Sequence, residues 1–133
     1  MSYDVHFFDK NNEPIEPIVQ VDGKIGDQVY NLNYTSNMRR FFCFGFKNND
    51  GLHCLNGLSG IEVIIKTELF LKSIYDFIND DYGLNIGFET TKALEEAFNA
   101  KNGHGDIHTA TTFIEEIQEV AKHNPNSTCF VSC

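Results

Sequence analysis

A chain of 133 residues buries about two-thirds of its unfolded surface by size scaling, which suits one ordinary domain over residues 1–133. At 41% hydrophobic and 13% aromatic, with 12 Phe, it can build a core without metal or disulfides, and composition excludes a disordered tract. The formal net charge of -9 opposes direct binding to nucleic acid or an anionic membrane.

The first element in chain order is a strand. Tyr3-Asp4-Val5-His6-Phe7-Phe8 combines period-2 patterning with aromatic and β-branched residues, and Asp9-Lys10-Asn11-Asn12 closes it as a turn. Pro14 and Pro17 make the next stretch irregular. Residues 18–21 and 28–34 then read as two short strands around Asp22-Gly23. From Met38 to Phe44 a dense apolar run begins, and a short helix is the expectation there. Two turns follow, Asn48-Asn49-Asp50-Gly51 and Asn56-Gly57-Leu58-Ser59-Gly60.

Ser59 and Glu62 form an S-x-x-E capping box that opens a long helix reaching about Asn79. Its apolar residues Ile61, Ile64, Ile65, Leu69, Leu71, Ile74, Phe77 and Ile78 predict a wide buried stripe and a central place in the core. A third helix is expected from Thr90 or Thr91 to Asn99, on Ala93, Leu94, Ala97 and Phe98. The last helix starts near Asp106 or Thr109, buries Ala110, Phe113, Ile114, Ile117 and Val120, and stops at Asn124-Pro125. Residues 128–132 alternate as a final strand. These elements predict an α+β fold: a small antiparallel sheet of N-terminal strands plus the C-terminal strand, packed on three to four helices.

The N-terminus lacks the pattern of a secretory signal, and no run of about 18 apolar residues occurs. A cytoplasmic protein is the expectation, with Cys43, Cys54, Cys129 and Cys133 as reduced thiols.

The most unusual chemistry lies in Asn31-Leu32-Asn33-Tyr34-Thr35-Ser36-Asn37-Met38-Arg39-Arg40. On an extended segment Asn31, Asn33, Thr35 and Asn37 share a face, a row of neutral donors and acceptors suited to a polar ligand. Arg39 and Arg40 follow at a strand-to-helix corner and could supply charge for a phosphate or carboxylate. The plainer alternative is that these residues make turns and a helix cap. A second candidate is Asn102-Gly103-His104-Gly105-Asp106-Ile107-His108, a Gly-flanked loop at a helix N-terminus, where free amides favour an anion. The His104, Asp106 and His108 spacing touches on metal ligation. Gly105 interrupts it, so loop and cap structure is the default and neither metal nor cofactor is expected.

The second half holds the acidity, with 4 basic and 11 acidic residues from 67 to 133 against 6 and 8 before it. Glu95, Glu96, Glu115, Glu116 and Glu119 fall on outer helix positions. They make either a solubility face or a surface that mimics a nucleic-acid backbone to occupy a partner's basic groove. No activated thiolate, carboxylate pair, G-x-S-x-G elbow or H-E-x-x-H helix marks an enzyme.

Several of these motifs together resemble a group of small phage and prophage proteins without assigned activity. The likeness rests on Tyr3-Asp4-Val5 with Asp9, on Asn33-Tyr34-Thr35-Ser36-Asn37, on Gly51-Leu52 through Leu55-Asn56-Gly57-Leu58-Ser59-Gly60, and on Asn102-Gly103-His104-Gly105-Asp106 leading to Asn124-Pro125-Asn126. That group usually carries Trp where this chain has His104, which argues against catalysis or metal binding by His104. The resemblance implies an accessory protein of a mobile element, acting inside a bacterial host, of a kind that often antagonises host defence. Three functions are therefore expected, in order. The first is non-catalytic binding of a small polar ligand, nucleotide-like ones included, by Asn31, Asn33, Tyr34, Thr35, Asn37, Arg39, Arg40, His104 and Asp106. The second is inhibition of a host defence protein through the acidic residues. The third is a small enzyme acting on the same ligand. Oligomeric state is left open.

Overall fold

The first strand organises the sheet. The computed structural model describes residues 1–20, 27–29, 32–79 and 86–133, with side chains for 1–17, 32–78 and 91–133. β1 (Ser2–Phe8) pairs antiparallel with β2 (Pro14–Ile15), β5 (Asn33–Thr35) and β6 (Thr128–Ser132). Asp4 pairs with both Asn33 and Ser132, and Phe7 with both Ile15 and Cys129. A strand has only two edges. β2 and β5 therefore share one edge of β1, and β6 fills the other. The C-terminal strand joins the N-terminal sheet, as the α+β reading requires.

Alternation then sets what each face meets. Tyr3, Val5 and Phe7 are buried, as are Cys129 and Val131 across from them, whereas His6, Phe130 and Ser132 face outward. On the outward face Phe8 and Phe130 meet edge to face at 5.1 Å.

The expected strand over 28–34 is two elements in two sheets. β4 (Asp27–Val29) forms a separate hairpin with β3 (Ile18–Gln20), while β5 belongs to the main sheet. Alternation over seven residues cannot reveal that a strand changes partner midway.

Among the described residues there are four helices, α1 (Arg39–Phe46), α2 (Gly60–Asn79), α3 (Ile86–Phe98) and α4 (Ile107–His123), of which α3 packs on α2 and α4. The capping box of α2 is present, with the Ser59 amide donating to Glu62 and the Glu62 amide to Ser59 Oγ, both at 3.2 Å. α3 begins earlier than expected, at Ile86, and buries Leu94 while Ala93 and Ala97 stay exposed. α1 and α2 approach so closely at Gly45 that a Cβ there would run into the Phe70 ring.

The stripe that α2 buries differs from the one expected. Val63, Thr67, Phe70 and Ile74 are buried, with Ile64, Leu71 and Ile78 packed partly against them. Ile61, Ile65 and Leu69 are each more than half exposed, and Phe77 is 42% exposed. Thr67 takes a core position because its hydroxyl donates to the Val63 carbonyl at 2.8 Å, which satisfies the buried polar group. α2 is apolar around much of its circumference, so periodicity alone does not select the arc that meets the sheet. No helix of the described residues is long and apolar enough to cross a membrane.

Candidate functional site

The polar stretch around β5 and the glycine loop before α4 meet in space, and the side chains of Tyr34, Thr35, Asn37 and Asp106 there each have a protein partner. Tyr34 is half-buried, stacks on Phe113 with ring centres 5.2 Å apart, and donates to the Asp106 carbonyl at 3.1 Å. Its hydroxyl also lies 2.7 Å from that of Thr109. Burial pushes the Tyr34 phenol up. Asn37 donates to the His104 carbonyl at 3.3 Å, and Thr35 caps the following 3₁₀ turn (Ser36–Met38) by accepting from the Asn37 amide. Gly105, at φ +125°, lies where a Cβ would come within 2.8 Å of Met38 and 2.9 Å of Thr35. Two elements dock here through a position that only glycine fits without strain.

Asp106 is the N-cap of α4, accepting from the Thr109 amide at 2.8 Å in a capping box. That amide proton holds the Asp106 carboxyl below the usual carboxylate range. His104 is exposed, its amide bound by Asn102 Oδ1 at 3.0 Å. His108 instead bonds Glu95 at 3.0 Å. No group of three metal-binding side chains occurs among the described residues.

The expected row of Asn and Thr does not run along one strand face. β5 ends at Thr35, and Asn37, exposed on the 3₁₀ segment, reaches across to the loop before α4. Asn33 points the other way, onto the outward sheet face, where it donates to Asp4 at 2.6 Å and Ser2 at 3.2 Å. Asn31 lies outside the described residues.

The two arginines diverge as well, because neighbouring residues on a helix do not share a face. Arg39 donates to the Asn49 carbonyl at 2.9 Å, tying α1 to the loop that follows it. Arg40 lies 5.9 Å from the Phe98 ring centre and borders an open groove of about 510 Å³. Cys43, Phe44, Lys47, Asn48, Asn49 and Phe98 line the rest of it. Arg40, Phe44 and Lys47 come together because i, i+4 and i+7 lie on one side of a helix. That spacing is legible in the sequence. The sequence hides the site all the same, because Phe44 reads as one more core residue in an apolar run, and Phe98, from a distant helix, completes it only in the fold.

The acidic residues gather around a different cleft, of about 410 Å³, lined by Leu71, Thr112, Glu115, Glu116, Gln118 and Glu119. Glu115 accepts from Tyr75 at 3.3 Å and Glu119 from Lys122 at 3.4 Å. Glu116 is raised above the usual carboxylate range, by burial first and by neighbouring Glu115 second. Glu95 and Glu96 belong to α3 and stand apart from that cleft. The four cysteines are free, and burial pushes the Cys129 thiol up to about 12. A thiol so protonated is a poor nucleophile at neutral pH.

Comparisons with family models, curated proteins and solved structures gave no match.

Proposed function

We propose that this chain is a non-catalytic binding protein of phage type, which antagonises a bacterial host's defence by capturing a small polar, nucleotide-like anion. The observation that supports this reading is the groove beside Arg40. In a chain of net charge -9, Arg40 and Lys47 stand beside two half-buried Phe rings and the polar side chains of Asn48 and Asn49. Arg40 over the Phe98 ring, with Lys47 lining the same groove, suits a ligand that joins a planar body to a negative charge. Distant acids weigh little against them, since salt screens charge beyond about 8 Å at physiological ionic strength. The site thus keeps Arg40 of the expected set and adds Phe44, Lys47 and Phe98. Tyr34, Thr35, Asn37 and Asp106 support it from a distance by anchoring the start of α1 to α4.

A second reading, inhibition of a host defence protein by nucleic-acid mimicry, draws on the cleft of Glu115, Glu116 and Glu119. The placing of Glu115, Glu116 and Glu119 around one cleft favours it, since a basic partner would meet three carboxylates together.

Native mass spectrometry of the protein purified from bacteria separates the two. A bound mass of nucleotide size, lost in the Arg40→Ala, Lys47→Ala double variant and kept when Glu115 and Glu119 are changed to Lys, is the expected result. A clean apo mass, with a host protein captured by wild type and released by the Glu changes, overturns the first reading in favour of the second.

A further inference from the structure

The groove beside Arg40 does not end at Phe44. A second groove, of about 530 Å³, is lined by Phe44, Lys47, Leu69, Lys72, Ser73, Asp76 and Phe77. Phe44 and Lys47 belong to both. Phe44 stands between Phe98, whose ring centre is 5.1 Å away, and Phe77, at 5.3 Å. Along this path a cation stands at each end, Arg40 and Lys72, with Lys47 at the junction. Among the described residues Asp76 is the one carboxylate lining either groove, and it is bridged to Lys72 at 3.2 Å, so a phosphate at Lys72 would share that cation with it.

Resting on the function proposed above, we propose that the two grooves are paired subsites for a dinucleotide, each taking one base against a Phe ring and the phosphates lying along Arg40, Lys47 and Lys72. The repeat of the site carries the argument. The two grooves share Phe44 and Lys47, three contiguous rings border them, and a nucleotide chain joins planar bases through phosphates. Stacking on rings beside a cationic track is how single strands are held with little base preference. An acidic peptide would match the cations but would leave most of the ring surface without a planar partner. A long polyanion is disfavoured by the net charge of -9. Two units match the two grooves.

Titration calorimetry on the full chain with adenosine monophosphate and with 5′-phosphorylated diadenylate tests the pairing. The dinucleotide should bind at least tenfold more tightly, and Phe77→Ala or Lys72→Ala should bring it to the monophosphate's level while leaving monophosphate binding unchanged. Both residues are exposed on α2, and matching thermal melts would show that the variants fold. Equal affinity of wild type for the two probes overturns the pairing and leaves the single Arg40 site standing. Binding of neither probe removes both readings. Tighter binding of an acidic, Phe-containing peptide than of the diadenylate overturns the pairing in favour of a protein partner.

Discussion

Asp106 shows how much one side chain can do at a helix start. It caps α4, and its own backbone carbonyl accepts from Tyr34, so the same residue joins the helix to the strand that precedes α1. Replacing it by Ala removes the cap and should cost about 1 kcal/mol in urea or thermal unfolding at pH 7. The pH dependence has a definite sign. The folded carboxyl sits below its unfolded value, so its contribution is complete above about pH 4, the ordinary Asp range. The contribution fades as pH falls through the folded value, because the protonated group is a poorer acceptor. The gap between wild type and Asp106→Ala should therefore narrow in acid, whereas a constant gap down to pH 2 would mean the carboxylate charge plays no part. The loop role of Asp106 was legible from its place before an apolar-periodic run. The Tyr34 contact was not, because nothing local ties a strand residue to a loop so far along the chain.

At the level of the element, α2 separates apolar character from burial. Phe70 is fully buried among the rings of Phe41, Phe42 and Phe46, with the Phe46 ring centre 4.7 Å away. Phe70→Ala should cost about 3–5 kcal/mol, as truncation of a packed ring does. Ile65 is one of the residues that periodicity places in the core, yet it is 56% exposed, and Ile65→Lys should change stability by less than about 0.5 kcal/mol. A urea titration of both variants decides the matter, and a large loss from Ile65→Lys would show that this arc of α2 packs against something. The start of the helix was readable because a capping box is a local hydrogen-bonded motif. The orientation was not, since helix rotation is set by the sheet and by α1 and α4, and apolar residues on several sides of α2 satisfy more than one rotation.

On the scale of the whole molecule, the two ends of the chain close the sheet together. β6 pairs with β1 from Asp4 to Phe8 and places Cys129 and Val131 on the inner face with Tyr3, Val5 and Phe7. Removing residues 128–133 would leave that edge of β1 unpaired and open the core beside it. The expected outcome is loss of the cooperative thermal transition and of the near-UV circular dichroism signal. A truncated chain that still melts in one sharp step would place the core's integrity elsewhere. This closure explains why hydrophobic content alone suffices to expect a domain but leaves the arrangement undetermined, because strand pairing between the ends is a non-local contact.

Local chemistry in the sequence determined the α+β class, the strand at each end, the cap of α2 and the surface position of the acidic residues, because propensity, capping and alternation act over a few neighbouring residues. Tertiary structure alone decided that residues 28–34 divide between two sheets, that α2 turns its 63–67–70–74 arc inward, and that Asn33, Asn37, Arg39 and Arg40 point to four different partners. It also decided that Arg40, Phe44 and Lys47 meet Phe98 on one side and Phe77 with Lys72 on the other. These outcomes depend on which surfaces remain after the core has packed, and packing is a property of the whole chain.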